Sequence, residues 1–478
     1  MQLSPQSNRK PPRVLFVVPN YSSRIAMMAQ TTTGPPLGLA SIAAVLLERG
    51  AEAAILDANV EHLTDRQTVD RIIRTRPDVI GFTAVTPTVN QCGLLAAQVK
   101  SALPSSMVVL GGIHPTVLPE KTLASFPAVD LIVRGEADTL FPDVLDGLRT
   151  GKTPAEFNGL TFRDGEDQIV HTPPPTGLVD LDALPFPARQ LLPMERYISP
   201  DGERFTTILG GRGCPGHCSY CSVNLAFGGK LRQRHPNRVV EEMIDCHTRF
   251  HAKVFGFIDD TFTADAQWVN ELCAAMVSAG LPRKIRWFCL TRVDKVTPDL
   301  LSAMQAAGCF RLEFGIESGD PEVLDFLGKG TTPEQILQAF SWARALDLET
   351  MAFIMLFSPA ETPRSLAATK KLLFQADPDL LQVSFCTPYP GTRLAEDCRR
   401  RGLDLSEEWD RYIFLKKPVL RHPLFSESQM IGWQMRLLRS FYFRPRTVLR
   451  IIRIAVRSGS WRAFFRSAWA ALRSLTGQ

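Results

Sequence analysis

The sequence predicts an α/β protein: a doubly wound parallel sheet, then a partial (βα)6 barrel, then a helical C-terminal region. Three observations carry this. Short apolar runs alternate with helix-spaced stretches from Pro12 to about residue 150, the pattern of βαβ units on a parallel sheet. Six more strand–helix units follow between Arg204 and about Arg393, two short of the eight that close a TIM barrel. Past about residue 395 the periodicity is helical alone. The expected boundaries are 12–150, a connector over 151–200, 201–395 and 396–478.

A chain of 478 residues exceeds one ordinary core, and length alone suggests about three domains. Its hydrophobic content of 45% and charged content of 22% are those of a soluble globular protein. Ten cysteines, unpaired in spacing outside one loop, point to a reducing compartment. The polar N-terminus lacks the apolar core of a signal peptide, and no apolar run reaches the ~18 residues of a membrane span. A cytoplasmic location is expected. The net charge of +5 is uneven: residues 431–478 hold ten Arg and no Lys, Asp or Glu. The remainder has 44 basic against 49 acidic residues, so the excess belongs to the tail.

In the first unit strands are expected at 14–18, 53–57, 78–82, 107–110 and 131–133, with a helix over 39–49 closed by Gly50. Ligands of such sheets sit at the carboxyl ends of the strands. There the chain carries Gly34-Pro35-Pro36-Leu37-Gly38, Gly111-Gly112-Ile113-His114-Pro115 and Arg134-Gly135-Glu136. Glycines let the backbone approach a large flat or phosphate-bearing ligand. The connector holds Pro173-Pro174-Pro175, Pro185, Pro187 and Pro193, which stiffen it and forbid long regular elements.

Barrel strands are expected at 205–209, 254–258, 285–290, 311–316, 350–357 and 381–386. Helical spacing fills 238–250, 266–279, 298–307, 333–345 and 363–375. Pro298, Pro333 and Pro363 each follow a Thr, the order of an N-cap and first helical residue. An incomplete barrel leaves a lateral opening suited to bulky substrates, and its chemistry belongs at the strand ends.

The first barrel strand leads into Cys214-Pro215-Gly216-His217-Cys218-Ser219-Tyr220-Cys221, three thiols at C-x3-C-x2-C spacing. Such a loop wraps three irons of a cubane and supplies no fourth thiolate, leaving one iron to a ligand from outside the protein. A structural zinc site is the alternative; it closes four ligands, for which His217 or His235 is available. A second Cys pair is missing.

With Tyr220 before the last Cys, the loop resembles the signature of radical S-adenosylmethionine (SAM) enzymes. That resemblance implies a 4Fe–4S cluster on Cys214, Cys218 and Cys221, whose open iron chelates SAM and whose electron cleaves it to a 5′-deoxyadenosyl radical. It also implies SAM contacts at Tyr220, at Asp259 and Asp260 (one gripping the amino group, the other a helix N-cap), at Arg292, and at Glu317 or Ser318 for the ribose. In the fifth strand the family's G-x-I-x-G-x-P-G-E-T becomes Ala352 to Thr362 with Ala352, Leu356 and Ala360 in place of glycines. Adenine contact there is expected from backbone and apolar side chains. Tyr389, after the sixth strand, is expected either to face substrate or to cap the barrel.

The preceding unit resembles the Rossmann-like cobalamin-binding domain of the B12-dependent radical SAM subfamily. This implies cobalamin contacts at Pro36, Gly38, Thr83, Gly111, Gly112, His114, Gly135 and Glu136. Other cobalamin domains carry D-x-H-x-x-G; here Asp57 is followed by Ala58-Asn59-Val60, which within this subfamily implies a His-off cofactor, the alternative being a domain that has lost cobalamin and serves as a scaffold. The reading is an enzyme that methylates an unactivated carbon through methylcobalamin, served by a flavodoxin- or ferredoxin-type electron donor. The same parts fit a cyclase or oxidoreductase without methyl transfer, as in the anaerobic magnesium-protoporphyrin monomethyl ester cyclase group. An iron–sulfur or zinc-bearing binding protein is the reading from another class.

The tail sets Arg446, Arg450, Arg453 and Arg457 at helical spacing among Val and Ile, then Arg462, Arg466 and Arg473 against Trp461, Phe464, Phe465 and Trp469. Arg on one face and large apolar residues on the other suit a lipid interface, so peripheral contact with the inner membrane through 444–475 and a lipid-like small-molecule substrate are expected. The alternative packs the apolar side on the barrel with Arg outward. A helical apolar face is no stacking platform, which argues against nucleic acid.

Overall fold

The computed structural model describes residues 11–21, 34–403 and 405–458. The first sheet holds β1 (Arg13–Val18), β2 (Glu52–Asp57), β3 (Val79–Thr83), β4 (Met107–Gly111) and β5 (Leu131–Val133), all parallel, in the order β2-β1-β3-β4-β5. Alternate side chains of a strand face opposite sides. Val14, Phe16 and Val18 of β1 enter one apolar cluster, Leu15 and Val17 the other. Both faces are therefore covered by helices, which is why the strands read as continuous apolar runs.

The connector is more structured than its prolines suggest. It adds β6 (Leu160–Arg163) and β7 (Ile169–His171) antiparallel to the edge of the same sheet. The stiff Pro-rich part begins only after β7.

The second sheet is six parallel strands: β8 (Phe205–Ile208), β11 (Val254–Phe257), β12 (Arg286–Thr291), β13 (Cys309–Glu317), β14 (Glu349–Leu356) and β15 (Leu380–Phe385), in the order β15-β14-β13-β12-β11-β8. A short pair, β9 (Gly211–Arg212) and β10 (Arg232–Gln233), sits antiparallel beside the cysteine loop. The partial barrel is as expected. Thr297, Thr332 and Thr362 each accept from a backbone N–H in the first turn of the helix they precede. Helix Glu427–Tyr442 joins the barrel core through Met430, Leu437, Leu438 and Phe441.

Buried polar contacts weld the two units. Arg212 forms a bidentate pair with Asp138, at 2.7 and 3.0 Å, and Arg232 pairs with Glu136. Arg189 of the connector meets Glu242 of helix Pro236–Phe250 at 2.7 Å. Tyr197 donates to Asp57 at 2.7 Å. Removing one partner of such a buried pair costs about 3–5 kcal/mol.

Candidate functional site

The cysteine loop hangs between β9 and β10 on one side and the ends of β11 to β13 on the other. Its backbone is braced by two carboxylates. Asp259 is buried and its Oδ2 accepts from Gly210 N at 2.9 Å; Asp260 Oδ2 accepts from Gly213 N at 3.2 Å. A Cβ at Gly210 would lie 2.4 Å from Trp268 and 2.9 Å from Asp259 Oδ1, so the brace needs glycine. Burial pushes the Asp259 carboxyl up to about 7, against the pull of the Gly210 and Gly211 amides. Neither Asp caps a helix, contrary to the expectation for one of them: the cap of helix Ala266–Ser278 is Asp265, accepting from Gln267 N and Trp268 N.

All three loop thiols are half-buried and unbridged, and each faces polar groups. Cys214 Sγ lies 3.3 Å from Thr261 Oγ1 and accepts from Gly216 N at 3.4 Å. Arg292 Nη1 reaches Cys218 Sγ at 3.7 Å. Burial pushes the Cys221 thiol up to about 11, with Cys218, Asp260 and Cys214 adding repulsion. Iron ligation requires thiolates, and these donors together with the cation of Arg292 offset part of that penalty. The donor set therefore fits an iron–sulfur cluster. His235 is an N-cap, its Nδ1 accepting from Asn237 N, which removes one of the two zinc candidates.

Beside the loop, Glu317 Oε1 accepts from Tyr220 Oη at 3.0 Å and from Lys329 Nζ at 2.9 Å. Glu317 has φ 63°, where the β13–β14 register shifts. A non-glycine residue held there costs about 1–3 kcal/mol, and the strain turns the carboxylate toward Tyr220. A Cβ at Gly315 would come within 2.6 Å of Glu317 Oε1. Arg292 is fixed by Asp294 at 2.9 Å and by the Lys329 carbonyl at 2.6 Å. Ser318 does not share this work: it is fully buried, its Oγ 3.0 Å from Thr369 Oγ1.

Strand β14 corrects a second expectation. Ala352, Ile354 and Leu356 all enter the apolar core; counted back from Pro359-Ala360-Glu361-Thr362, the ten-position motif sets its first two glycines at Phe353 and Phe357, and Phe357 keeps a left-handed φ of 66°. The turn after β14 is held by Glu361, which accepts from the amides of Phe357 (φ 66°) and Ser358. Burial pushes the Glu361 carboxyl up to about 8. Tyr389 donates to the Tyr412 carbonyl at 3.0 Å, tying down the C-terminal segment.

A cavity of ≈ 470 Å³ lies between the carboxyl ends of both sheets, within the range of about 300–1,000 Å³ typical of small-molecule sites. From the first sheet it is lined by Gly38, Thr83, Gly111, Gly112, Gly135 and Glu136. Gly112 has φ 101°, and a Cβ there would lie 2.5 Å from the Ala84 carbonyl. From the barrel come Gly211, Arg212, Ile258 and Asp260. The third wall is Leu181, Leu184, Pro185 and Pro187 of the connector; nothing local in the sequence marks those side chains as lining. Glu136 meets the cavity with its carboxylate already paired to Arg232 and Arg212.

Two expected cavity residues lie elsewhere. Pro36 is not among the lining residues; its carbonyl accepts from Ala40 N. His114 is buried against Thr86, 3.2 Å from Nδ1, and edge-on to Trp409 at 5.1 Å. Burial, with Lys121 nearby, lowers its pKa to about 4. No described lining residue is a His. The cradle of backbone and apolar wall fits a large planar macrocycle. Asp260, Gly211 and Arg212 belong both to this cavity and to the cysteine loop's support, so the two sites are continuous.

Such a pair of joined sites defines an enzyme that couples a corrinoid to SAM, and known proteins agree. Residues 24–145 match the B12 binding domain and residues 208–373 the radical SAM superfamily. An uncharacterized methyltransferase of Pyrococcus horikoshii is 34% identical over 92% of this chain and 94% of its own length. The anaerobic magnesium-protoporphyrin IX monomethyl ester cyclase of Cereibacter sphaeroides is 28% identical, over 95% of this chain and 76% of the cyclase. In fold the chain is similar to the cobalamin-dependent enzyme OxsB (TM-score 0.73, 17% identity, 95% of this chain and 72% of that one). It is also similar to the methyltransferase TsrM of Kitasatospora setae (TM-score 0.68, 18% identity, 82% and 75%). The chain belongs to the cobalamin-dependent radical SAM enzyme family, whose cofactors are a 4Fe–4S cluster, SAM and cobalamin.

Proposed function

We propose that this enzyme methylates an unactivated carbon of a small, largely apolar molecule. The observation that carries the reading is the shared wall of Asp260, Gly211 and Arg212, which brings the cysteine loop and the corrinoid cavity to one reaction space. When bound, SAM supplies the hydrogen-abstracting radical and methylcobalamin the methyl group. The chain's own residues position and shield. Cys214, Cys218 and Cys221 hold the cluster, and Arg292 faces its thiolate charge. Lys329 and Tyr220 both donate to one oxygen of Glu317, and its second oxygen would accept from a ribose hydroxyl of bound SAM. Asp260 is the carboxylate placed for an ammonium, while Asp259 braces the loop. The connector wall of Leu181, Leu184, Pro185 and Pro187 excludes water from the space between the cofactors.

The match over nearly the whole length of a methyltransferase favours methyl transfer, and the cyclase relatives supply the second reading. Anaerobic turnover with CD3-labelled SAM, a flavodoxin or ferredoxin reductant and a lipid extract from the host separates them. A product heavier by the labelled methyl group is expected. 5′-Deoxyadenosine formed with no label in any product would replace methylation by cyclisation or oxidation.

A further inference from the structure

The last described helix, Pro445–Ser458, is mounted in an orientation that neither sequence reading anticipated. Arg450 points at the barrel, its guanidinium 2.7 Å from Asp377 Oδ2 and 2.8 Å from the Asp377 carbonyl, with Asp379 at 3.6 Å. Arg444 pairs with the same Asp377 at 3.2 Å. Thr447 is buried and Ile451 and Ile454 are half-buried on that inner side. The outer side carries Val448, Leu449, Ile452 and Val456, exposed at 41, 66, 38 and 55%. Exposed Arg446 and Arg453 run alongside this stripe, and Phe443 at the helix start is exposed too. Ion pairs thus hold an apolar ridge toward solvent.

Charge decides what covers it. A second copy would bring Arg446 and Arg453 against their own kind. Residues 459–478 add Arg462, Arg466 and Arg473 without a single acid, so they bring no charge to match Arg446 and Arg453; these residues, and the part of the expected contact beyond 458, lie outside the described residues. What satisfies an apolar stripe flanked by guanidinium, with no acidic residue from 431 to 458, is a surface that is apolar within and anionic at its rim. We infer that this ridge docks the enzyme on an anionic lipid bilayer, with the helix lying in the plane of the interface. The inference is independent of whether the reaction is methylation or cyclisation.

The test is sedimentation of the full chain with vesicles of phosphatidylcholine alone or mixed with phosphatidylglycerol. Binding is expected to the anionic vesicles, weakening as salt is raised, with little to the neutral ones. Arg446→Gln with Arg453→Gln should weaken it about thirtyfold, since each basic residue near an anionic surface counts. Leu449→Glu with Ile452→Glu should abolish it while the melting temperature is unchanged, because both side chains are exposed. Wild-type protein that ignores anionic vesicles, or a Glu pair that binds them equally, overturns the inference. So does binding that strengthens when 459–478 are removed, which would make that segment the cover. A concentration-dependent dimer lost on Leu449→Glu, without vesicle binding, would make the cover a second copy.

Discussion

The two sheets present different things at their carboxyl ends. The first offers backbone: Gly38, Gly111, Gly112 and Gly135, with Glu136 already neutralised by Arg232. The second offers charge held in strained geometry: Asp260, Arg292, Lys329, and Glu317 at φ 63°. A large flat ligand is held by fit to a close-lying main chain, whereas a small zwitterion is held by point charges. The difference teaches that substitutions in the first sheet should act through shape and those in the second through electrostatics.

Four experiments bear on that contrast. Cys218→Ala should have the largest effect, reducing SAM cleavage to background and lowering iron content, while cobalamin retention on gel filtration stays near wild type; loss of both together would mean that the sites are not separable. Lys329→Met strands the Glu317 carboxylate beside Tyr220 and should cost about 3–5 kcal/mol in chemical denaturation, with Lys329→Met and Glu317→Gln together recovering part of it. Equal destabilisation by the single and double variants would deny the charge pairing. Gly112→Ala forces a side chain into left-handed backbone against the Ala84 carbonyl, at about 1–3 kcal/mol. It should lower bound cobalamin, read by absorbance, and leave the cluster spectrum intact.

The smallest effect is in pH, and it separates the halves by sign. Glu361 has its carboxyl raised to about 8, so the native state keeps a proton that the unfolded chain releases above ordinary carboxylate pH. Its contribution is complete in acid and fades as pH rises toward 8. His114, lowered to about 4, acts oppositely: its contribution is complete above the usual imidazole range and fades as pH falls from about 6.5 toward 4. Glu361→Gln should flatten the alkaline limb of melting temperature against pH, and His114→Gln the acid limb, each by on the order of 1–3 kcal/mol. A variant that shifts the whole curve without changing its slope would remove titration as the cause.

Most of the architecture was legible because apolar runs buried on both faces, such as Val14 to Val18, have no other use. The three cysteines were legible because their spacing is local. What sequence could not supply was direction. Glu317 and Ser318 are neighbours in one motif, and a single left-handed residue decides that the first faces Tyr220 and the second Thr369. His114 looks like a ligand in its Gly-Gly-Ile-His-Pro turn, yet Trp409, almost three hundred positions later, claims its ring. Lys329 was passed over for the same reason: its partners Glu317 and Tyr220 come from other strand ends. The β14 positions expected to meet adenine obey strand alternation and turn to the core.

The bridge of Arg212 to Asp138, seconded by Arg232 to Glu136, has an implication for motion. A clamshell motion of the two halves would have to strip guanidinium from carboxylate at both places before any gap appeared. Opening along that seam would expose two buried charge pairs at once, so the halves should move as one body and Arg212→Met should loosen them most.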